Sequence, residues 1–322
     1  MDVYFYEAFE EEAKALQSYM PSHVRAGYTW KTIQESGDRT PPARLISVRT
    51  QSYLPPDWGE DLDGILSRST GYDHLIAYRN RCNANPALGY LPLYCNRAVA
   101  EQAALLWMAC LRKLEQQRSQ FLKFQSDGLT GSECRGKRLL VVGVGNIGSE
   151  IVNIGRGLQM EVRGVDIVEK YPDVTYVSGE EGIAWADIIC CSMNLTQVNA
   201  GYFSYDLLKR AKPGIIFINI ARGELSPCTG LLKLVEEGRI AGLALDVYNH
   251  ESELAVSLRE GRPSQDPEVQ TVHRLATYPN VIMTPHNAFN TEEAVQTKSE
   301  HSVRQLIHLM EEGRFEWPVP AE

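Results

Sequence analysis

The sequence predicts an α/β protein: a doubly wound parallel sheet accompanied by a second α/β domain. Three observations predict it. Short apolar runs alternate with helix-length amphipathic stretches, the pattern of parallel strands joined by crossover helices. One run, residues 139–142, enters the glycine-rich turn Gly143-Val144-Gly145-Asn146-Ile147-Gly148, and a helical pattern leaves it. An acid, Asp166, closes the next apolar run 18 positions after Gly148. Strand, glycine turn, helix, strand and acid, in that order, place the pyrophosphate of a dinucleotide on a helix N-terminus.

In chain order, residues 2–6, 44–48 and 64–68 read as strands of an N-terminal unit. Residues 96–124 read as one long helix with Ala100, Ala103, Ala104, Trp107 and Leu111 on a single face. Six further strands follow at 138–142, 161–165, 187–191, 214–219, 242–246 and 281–284, enough for a nucleotide-binding sheet. Residues 291–312 are again helical, too late to belong to that sheet. The simplest division assigns 99–287 to the dinucleotide-binding domain and 1–98 with 288–322 to a substrate domain. A cleft between the two is expected, where small substrates bind.

In the turn, Gly143 permits the tight bend, Gly145 lets backbone approach phosphate, and Gly148 lets helix and strand pack closely. Asn146 and Ile147 open the helix, and Ile147, Ile151, Ile154 and Leu158 fall where they would face the sheet. Asp166 can accept hydrogen bonds from the adenosine ribose hydroxyls. Its carboxylate repels a 2′-phosphate, and Ile167-Val168 offer no compensating charge, so NAD is expected over NADP. Lys170 is the nearby cation that complicates this.

Composition bounds the function. The chain has 322 residues, 43% hydrophobic and 23% charged, with a net charge of −9. That describes a globular protein with two cores, and its charge repels nucleic acid and anionic membranes. No apolar run reaches the roughly 18 residues of a membrane span, and residues 1–13 are acidic where a secretory signal would be basic. Seven cysteines, an odd number with no C-x-x-C pair, fit reduced thiols in a cytoplasmic protein. No metal site is evident.

Three further segments carry chemistry, each at the end of an expected strand: Ile218-Asn219-Ile220-Ala221-Arg222-Gly223-Glu224-Leu225, Ala244-Leu245-Asp246-Val247-Tyr248-Asn249-His250-Glu251 and Met283-Thr284-Pro285-His286-Asn287-Ala288-Phe289. With the glycine turn, these segments resemble the signatures of the D-isomer-specific 2-hydroxyacid dehydrogenases. The resemblance runs from Val99 to Gln296, and 67–74 resembles a further family segment. It implies a Rossmann NAD domain and a flavodoxin-like substrate domain. It also implies Arg222 as the substrate-binding arginine, Glu251 as the partner of a catalytic histidine, and His286 as the acid–base.

Elementary chemistry agrees with these roles. A guanidinium binds the planar carboxylate of a 2-keto acid with forked hydrogen bonds. Hydride addition to the carbonyl carbon builds charge on its oxygen, which needs a proton from a group titrating near neutrality. A carboxylate on the other imidazole nitrogen favours the imidazolium and fixes the ring. His250, beside Glu251, is the rival to His286, but it lacks the preceding strand and proline.

By the same resemblance, the backbone at Thr70 and Gly71 meets the substrate carboxylate and Phe289 lines the side-chain pocket. Ala221, Asp246 and His286 border the cofactor, Asp246 orienting Arg222 or a cofactor group. Arg49 and Tyr53 are further candidates for the cleft. A homodimer through the helix beginning near Asn96 is also implied. The long loop at 252–277 and the Pro279-Asn280 turn before the last strand resemble the D-lactate dehydrogenase branch of the family. Other features depart from the family pattern: Ser252 instead of proline after Glu251, and Asn290 where that branch often has tyrosine. Cys190-Cys191-Ser192-Met193-Asn194 also replaces a usual histidine and proline, and is expected to flank the adenine or ribose.

The sequence therefore leads to an NAD-dependent oxidoreductase interconverting a small 2-keto acid and its D-2-hydroxy acid. Phosphoglycerate, glyoxylate, hydroxypyruvate or phosphite are alternative substrates. Arg49 with Arg68 is the thin basic cluster a phosphorylated one would need. Formate fits less well, because its oxidation needs no proton delivery. A non-catalytic, NAD(H)-sensing protein resembling corepressors built on this scaffold is the remaining alternative.

Overall fold

The computed structural model describes residues 1–320 and divides the chain into two compact units. The first is Met1–Cys95 with the chain from Asn290 onward; the second is Asn96–Phe289.

The N-terminal unit runs β1 (Val3–Phe5), α1 (Glu10–Tyr19), β2 (Ala26–Tyr28), α2 (Ile33–Ser36), β3 (Leu45–Val48), β4 (Gly64–Ser67), α3 (Asp73–Arg79) and β5 (Ala87–Gly89). Its five strands form one parallel sheet in the order β2-β1-β3-β4-β5. Alternate residues along each strand serve opposite cores, as the period of two requires. Leu45 and Leu66 join Val3, Phe5 and Leu16 on one face, while Ile46 and Ile65 join Trp58, Leu75 and Tyr78 on the other. The three-residue strands β2 and β5 lie at the two edges, too short to show in the hydropathy pattern.

The second unit opens with α4 (Asn96–Leu111) and α5 (Leu114–Phe121). The expected single helix to residue 124 is thus broken, with Lys113 in the left-handed region at φ 53°. The five small and apolar residues expected on one face of α4 are all buried. Then follow β6 (Arg138–Val142), α6 (Asn146–Gly157), β7 (Glu161–Val165), β8 (Thr175–Tyr176), α7 (Gly179–Trp185), β9 (Ile188–Cys191), α8 (Tyr205–Leu208), β10 (Ile215–Asn219), α9 (Cys228–Glu236), β11 (Ile240–Leu245), α10 (Glu251–Glu260), α11 (Pro267–Leu275) and β12 (Val281–Met283).

These strands make a parallel sheet in the order β12-β11-β10-β9-β6-β7-β8. The six expected strands are present, and β8, two residues long, is a seventh. The chain order reverses between β6 and β9, so the glycine turn after β6 leaves the sheet at the switch point where such sheets bind ligands. The buried face of α6 is Gly148, Ile151, Val152 and Gly155. Ile147, Ile154 and Leu158 are only half-buried, because the two glycines bring the helix down along their own side. Residues 252–277, expected as a long loop, hold the rest of α10 and all of α11, whose Val269, Val272 and Leu275 join the core.

The last helix, α12 (Glu292–Glu312), returns to the N-terminal unit. It packs against α1, and Val303, Leu306 and Leu309 enter the core with Phe5 and Leu16.

Candidate active site

Gly143 has φ 94°, and a Cβ there would run into the backbone of Met193. Any side chain is therefore excluded twice, by conformation and by space. A Cβ at Gly148 would strike the carbonyl of Gly143, so turn and helix meet backbone to backbone. At Gly145 a Cβ would meet nothing within 4 Å. Packing does not demand glycine at that position; an open approach to the first turn of α6 does. Gly145 caps that helix without a side-chain hydrogen bond, which leaves the N–H groups beginning at Asn146 and Ile147 for an anionic group.

Asp166, at the end of β7, accepts from the Val144 N–H at 2.6 Å and the Val168 N–H at 3.1 Å. The carboxylate is thereby fixed against the turn while keeping lone pairs for hydroxyls. Ile167 beside it is fully exposed, and Lys170 Nζ reaches Asn146 Oδ1 at 3.4 Å.

The arginine loop is built by a residue the sequence did not single out. Asn219, fully buried at the end of β10, donates to the Arg222 carbonyl at 2.8 Å and to Ser226 Oγ at 2.7 Å, and accepts from the Ala221 N–H at 3.0 Å. One amide thus satisfies three groups of a tight loop. The signal was present, since a lone amide closing an otherwise apolar strand has to find partners. Gly223 follows, and a Cβ there would collide with the backbone of Tyr248 and Asn249. The loop carrying Arg222 is therefore pressed onto the segment leading to Glu251.

Glu251 is the first residue of α10, and its two carboxylate oxygens lie 2.8 and 2.9 Å from His286 Nδ1. Both side chains are about four-fifths buried, at 19% and 20% exposure for His286 and Glu251. The carboxylate occupies Nδ1 and leaves Nε2 for proton exchange. His286 sits at φ 51°, a conformation few non-glycine residues adopt, directly after Pro285. The rival His250 pairs instead with Asp266 at 2.6 Å and is half-exposed. The Phe289 ring stands edge-on to the His286 ring, with centroids 6.3 Å apart.

Comparison with known proteins places the chain in a family. Residues 104–288 match the model of the D-isomer specific 2-hydroxyacid dehydrogenase NAD-binding domain, more than half of the chain. The chain belongs to that family. It is 32% identical over 222 residues to an aromatic 2-oxoacid reductase of Clostridium sporogenes, covering 67% of this chain and 66% of that protein. It is 29% identical over 228 residues to the D-lactate dehydrogenase of Escherichia coli K12, covering 68% of each. Its fold is that of the Aquifex aeolicus D-lactate dehydrogenase solved with NAD and lactic acid, at a TM-score of 0.84 with 24% identity over 99% of this chain and all of that one. Within the family the cofactor is NAD, and the open approach at Gly145 with Asp166 fits it.

The structure corrects three expectations. Asp246 does not hold Arg222: its Oδ1 accepts from Thr284 Oγ1 at 2.5 Å and the Asn287 N–H at 2.9 Å, and its Oδ2 from the Ala288 N–H at 2.9 Å. It clamps the turn that carries His286. Burial raises its pKa, against the pull of those hydrogen bonds. Cys190 and Cys191 do not flank a ligand, because both are completely buried in β9, and burial pushes Cys191 up to about 12. Ser192 and Met193, just beyond the strand, touch the glycine turn instead, Ser192 donating to the Gly143 carbonyl at 2.7 Å. Arg68 is no open basic site: it is fully buried, bound to Glu12 at 2.8 Å, Ser47 Oγ at 3.1 Å and the Tyr6 carbonyl at 2.6 Å.

Thr70 and Gly71 lie in the turn after β4, in the N-terminal unit. Ser69 shapes that turn by donating to the Gly71 carbonyl at 2.7 Å, and Thr70 Oγ1 lies 3.6 Å from Cys95 Sγ. Tyr53 is exposed and holds Arg81. No group of metal-ligating side chains occurs among the described residues, and no helix there is long and apolar enough to cross a membrane.

Proposed function

We propose that this chain reduces a small 2-keto acid to its D-2-hydroxy acid, with His286 as proton donor. The observation that carries the reading is the Glu251 carboxylate held on His286 Nδ1 by both oxygens. Bound reduced nicotinamide supplies the hydride that adds to the carbonyl carbon. As that bond forms, the carbonyl π pair moves onto oxygen, which takes the proton from His286 Nε2 and becomes the hydroxyl. Glu251 stabilises the imidazolium before transfer and holds the ring after it. Arg222 binds the substrate carboxylate as a fork, aided by the N–H groups at Thr70 and Gly71. Phe289 borders the substrate beside the histidine. In reverse, neutral His286 removes the hydroxyl proton.

NADH oxidation with a panel of 2-keto acids tests the reading; tight NADH binding without turnover on any of them would defeat it. Arg222→Lys keeps the charge but loses the fork. A charge-assisted hydrogen bond contributes about 1.5–3 kcal/mol, so kcat/KM should fall on the order of 10- to 100-fold. Steady-state kinetics with pyruvate and with bulkier keto acids would measure it.

A cytoplasmic homodimer completes the proposal. Seven cysteines with no disulfide among the described residues suit a reducing compartment. Leu105 and Met108 on α4, Leu114 and Phe121 on α5, and Leu122 and Phe124 after it are exposed apolar side chains on consecutive elements. Such a patch calls for cover. Light scattering should give twice the 36.1 kDa chain mass, and Phe121→Glu with Leu122→Glu should halve it.

A further inference from the structure

Strand β10 is apolar from Ile215 to Ile218 and ends on an amide, Asn219, with all five residues buried. The Asn219 backbone is fixed on both sides. It lies in register with Cys191 of β9 and Leu245 of β11, and its carbonyl accepts from the Asp246 N–H at 3.0 Å. The side chain therefore starts from a rigid central strand. An amide carries two N–H donors and an accepting oxygen, and each is costly to bury unpaired.

Asn219 spends all of them on the loop that follows. Oδ1 accepts from the Ala221 N–H at 3.0 Å, and Nδ2 donates to the Arg222 carbonyl at 2.8 Å and to Ser226 Oγ at 2.7 Å. Turning the amide over would set N–H against N–H and oxygen against oxygen, so a single orientation is imposed. The amide brackets Arg222, holding the peptide that enters Ala221 and the peptide that leaves Arg222. The carbonyl between those two peptides accepts from Arg222 Nη1 at 2.8 Å, which refers the guanidinium to the same short stretch of backbone. Arg222 itself is extended, with φ −145° and ψ 140°, a conformation open to any residue. Its direction is thus set by the bonds around it and not by a restricted backbone.

The far end of the loop is tied as well. Ser226 is 2% exposed, and its N–H donates to the Gly223 carbonyl at 3.0 Å. The carbonyls of Glu224 and Leu225 accept from the N–H groups of Gly201 at 2.7 Å and Phe203 at 2.9 Å. Arg222 is left half-buried on a loop whose backbone is held from three directions.

From this bracket we propose that Asn219, with Ser226 as its second anchor, is the positioning residue for Arg222 and makes the enzyme select substrates with a free carboxylate. The inference rests on the reading of Arg222 as the carboxylate fork and adds what holds the fork in place. With both N–H groups committed, Asn219 has no donor left for a substrate and acts only through the arginine. A forked pair of charge-assisted bonds needs direction as well as distance, and a misplacement of about 1 Å can cost about 10²-fold in rate.

The test compares kcat/KM for pyruvate and phenylpyruvate with that for their methyl esters, which keep the reacting carbonyl and lose the charge. The wild-type protein should favour each acid over its ester by at least about tenfold, the worth of one charge-assisted contact. Asn219→Ala should cut that preference at least about tenfold, mainly by raising KM for the acid, while kcat/KM for the ester stays within about threefold. Asn219→Asp keeps the shape and the Ala221 contact but turns an oxygen toward the Arg222 carbonyl, so it should not restore the preference. Ser226→Ala removes one of the two acceptors and should lower the preference in the same direction by a smaller factor. It carries the test if Asn219→Ala lacks a native circular dichroism spectrum. A purely structural role would lower acid and ester together. An unmoved acid-to-ester ratio in Asn219→Ala, or in Ser226→Ala where that variant carries the test, overturns this inference and leaves the reductase reading intact. A preference restored by Asn219→Asp overturns it too, because the donors would then be idle. A wild-type protein that reduces acid and ester equally well overturns the carboxylate fork, and turnover of neither overturns the reductase reading itself.

Discussion

His286→Ala should lower kcat/KM for keto-acid reduction by about 10²- to 10⁴-fold, the range associated with a positioned general acid. NADH binding, read by fluorescence titration, should persist, because the glycine turn and Asp166 belong to other loops of the sheet. His250→Ala is the control. That histidine is half-exposed and bonded to Asp266, so its loss should leave turnover within about twofold. Equal losses from the two variants would contradict the assignment. Glu251→Gln separates charge from ring position. An amide keeps a hydrogen bond to the imidazole but brings no negative charge to the ring that gives up the proton. Losing one charge-assisted hydrogen bond should lower kcat for keto-acid reduction at least about tenfold, with NADH binding unchanged. An unchanged kcat would show that the carboxylate only holds the ring in place.

Much of this site was legible because its parts are local and ordered. The glycine turn, Asp166, Arg222, Glu251 and His286 each stand at the end of an apolar run, and parallel strands bring such ends to one edge of a sheet. The same principle failed where burial is not apolar. α12 buries Lys298, Ser299, Ser302 and Gln305 along with Val295, Val303 and Leu306, so its inward face reads as mixed. Glu12 is the last acid of a Glu10-Glu11-Glu12 run, which looks like a solvated helix start, yet only Glu12 turns inward to meet Arg68 and Lys298. Periodicity ranks residues by hydrophobicity and cannot find a charge buried by its partners. The break after Leu111 was hidden for another reason. Arg112 and Lys113 are ordinary helix formers, and nothing local marks Lys113 for the left-handed region. The helices in 252–277 were missed because few of their residues are apolar, although Asp266 followed by Pro267 is a strong helix start that could have been read.

Asp246→Ala should destabilise the NAD-binding unit, and its effect should reach the chemistry. The side chain is 0% exposed and accepts from the Thr284 hydroxyl and from the N–H groups of Asn287 and Ala288. Alanine leaves the buried Ala288 N–H without a partner and the half-buried Thr284 hydroxyl and Asn287 N–H to water. A buried unsatisfied group costs about 1–3 kcal/mol and the two partly solvated donors add less, so the total should be about 2–4 kcal/mol. Denaturant unfolding would measure it. The same three donors hold the turn in which His286 takes φ 51°, a conformation that persists only where the surroundings impose it. A variant that still folds should therefore lose kcat as well, because His286 no longer presents Nε2 at a fixed angle. Asp246→Asn distinguishes the two consequences. It keeps the volume and one carbonyl acceptor but turns an amide N–H toward a backbone N–H, so it should recover part of the stability and little of the rate. Rate and stability restored together would mean that Asp246 matters only to packing. Stability restored without rate would identify it as the positioning residue for the catalytic histidine.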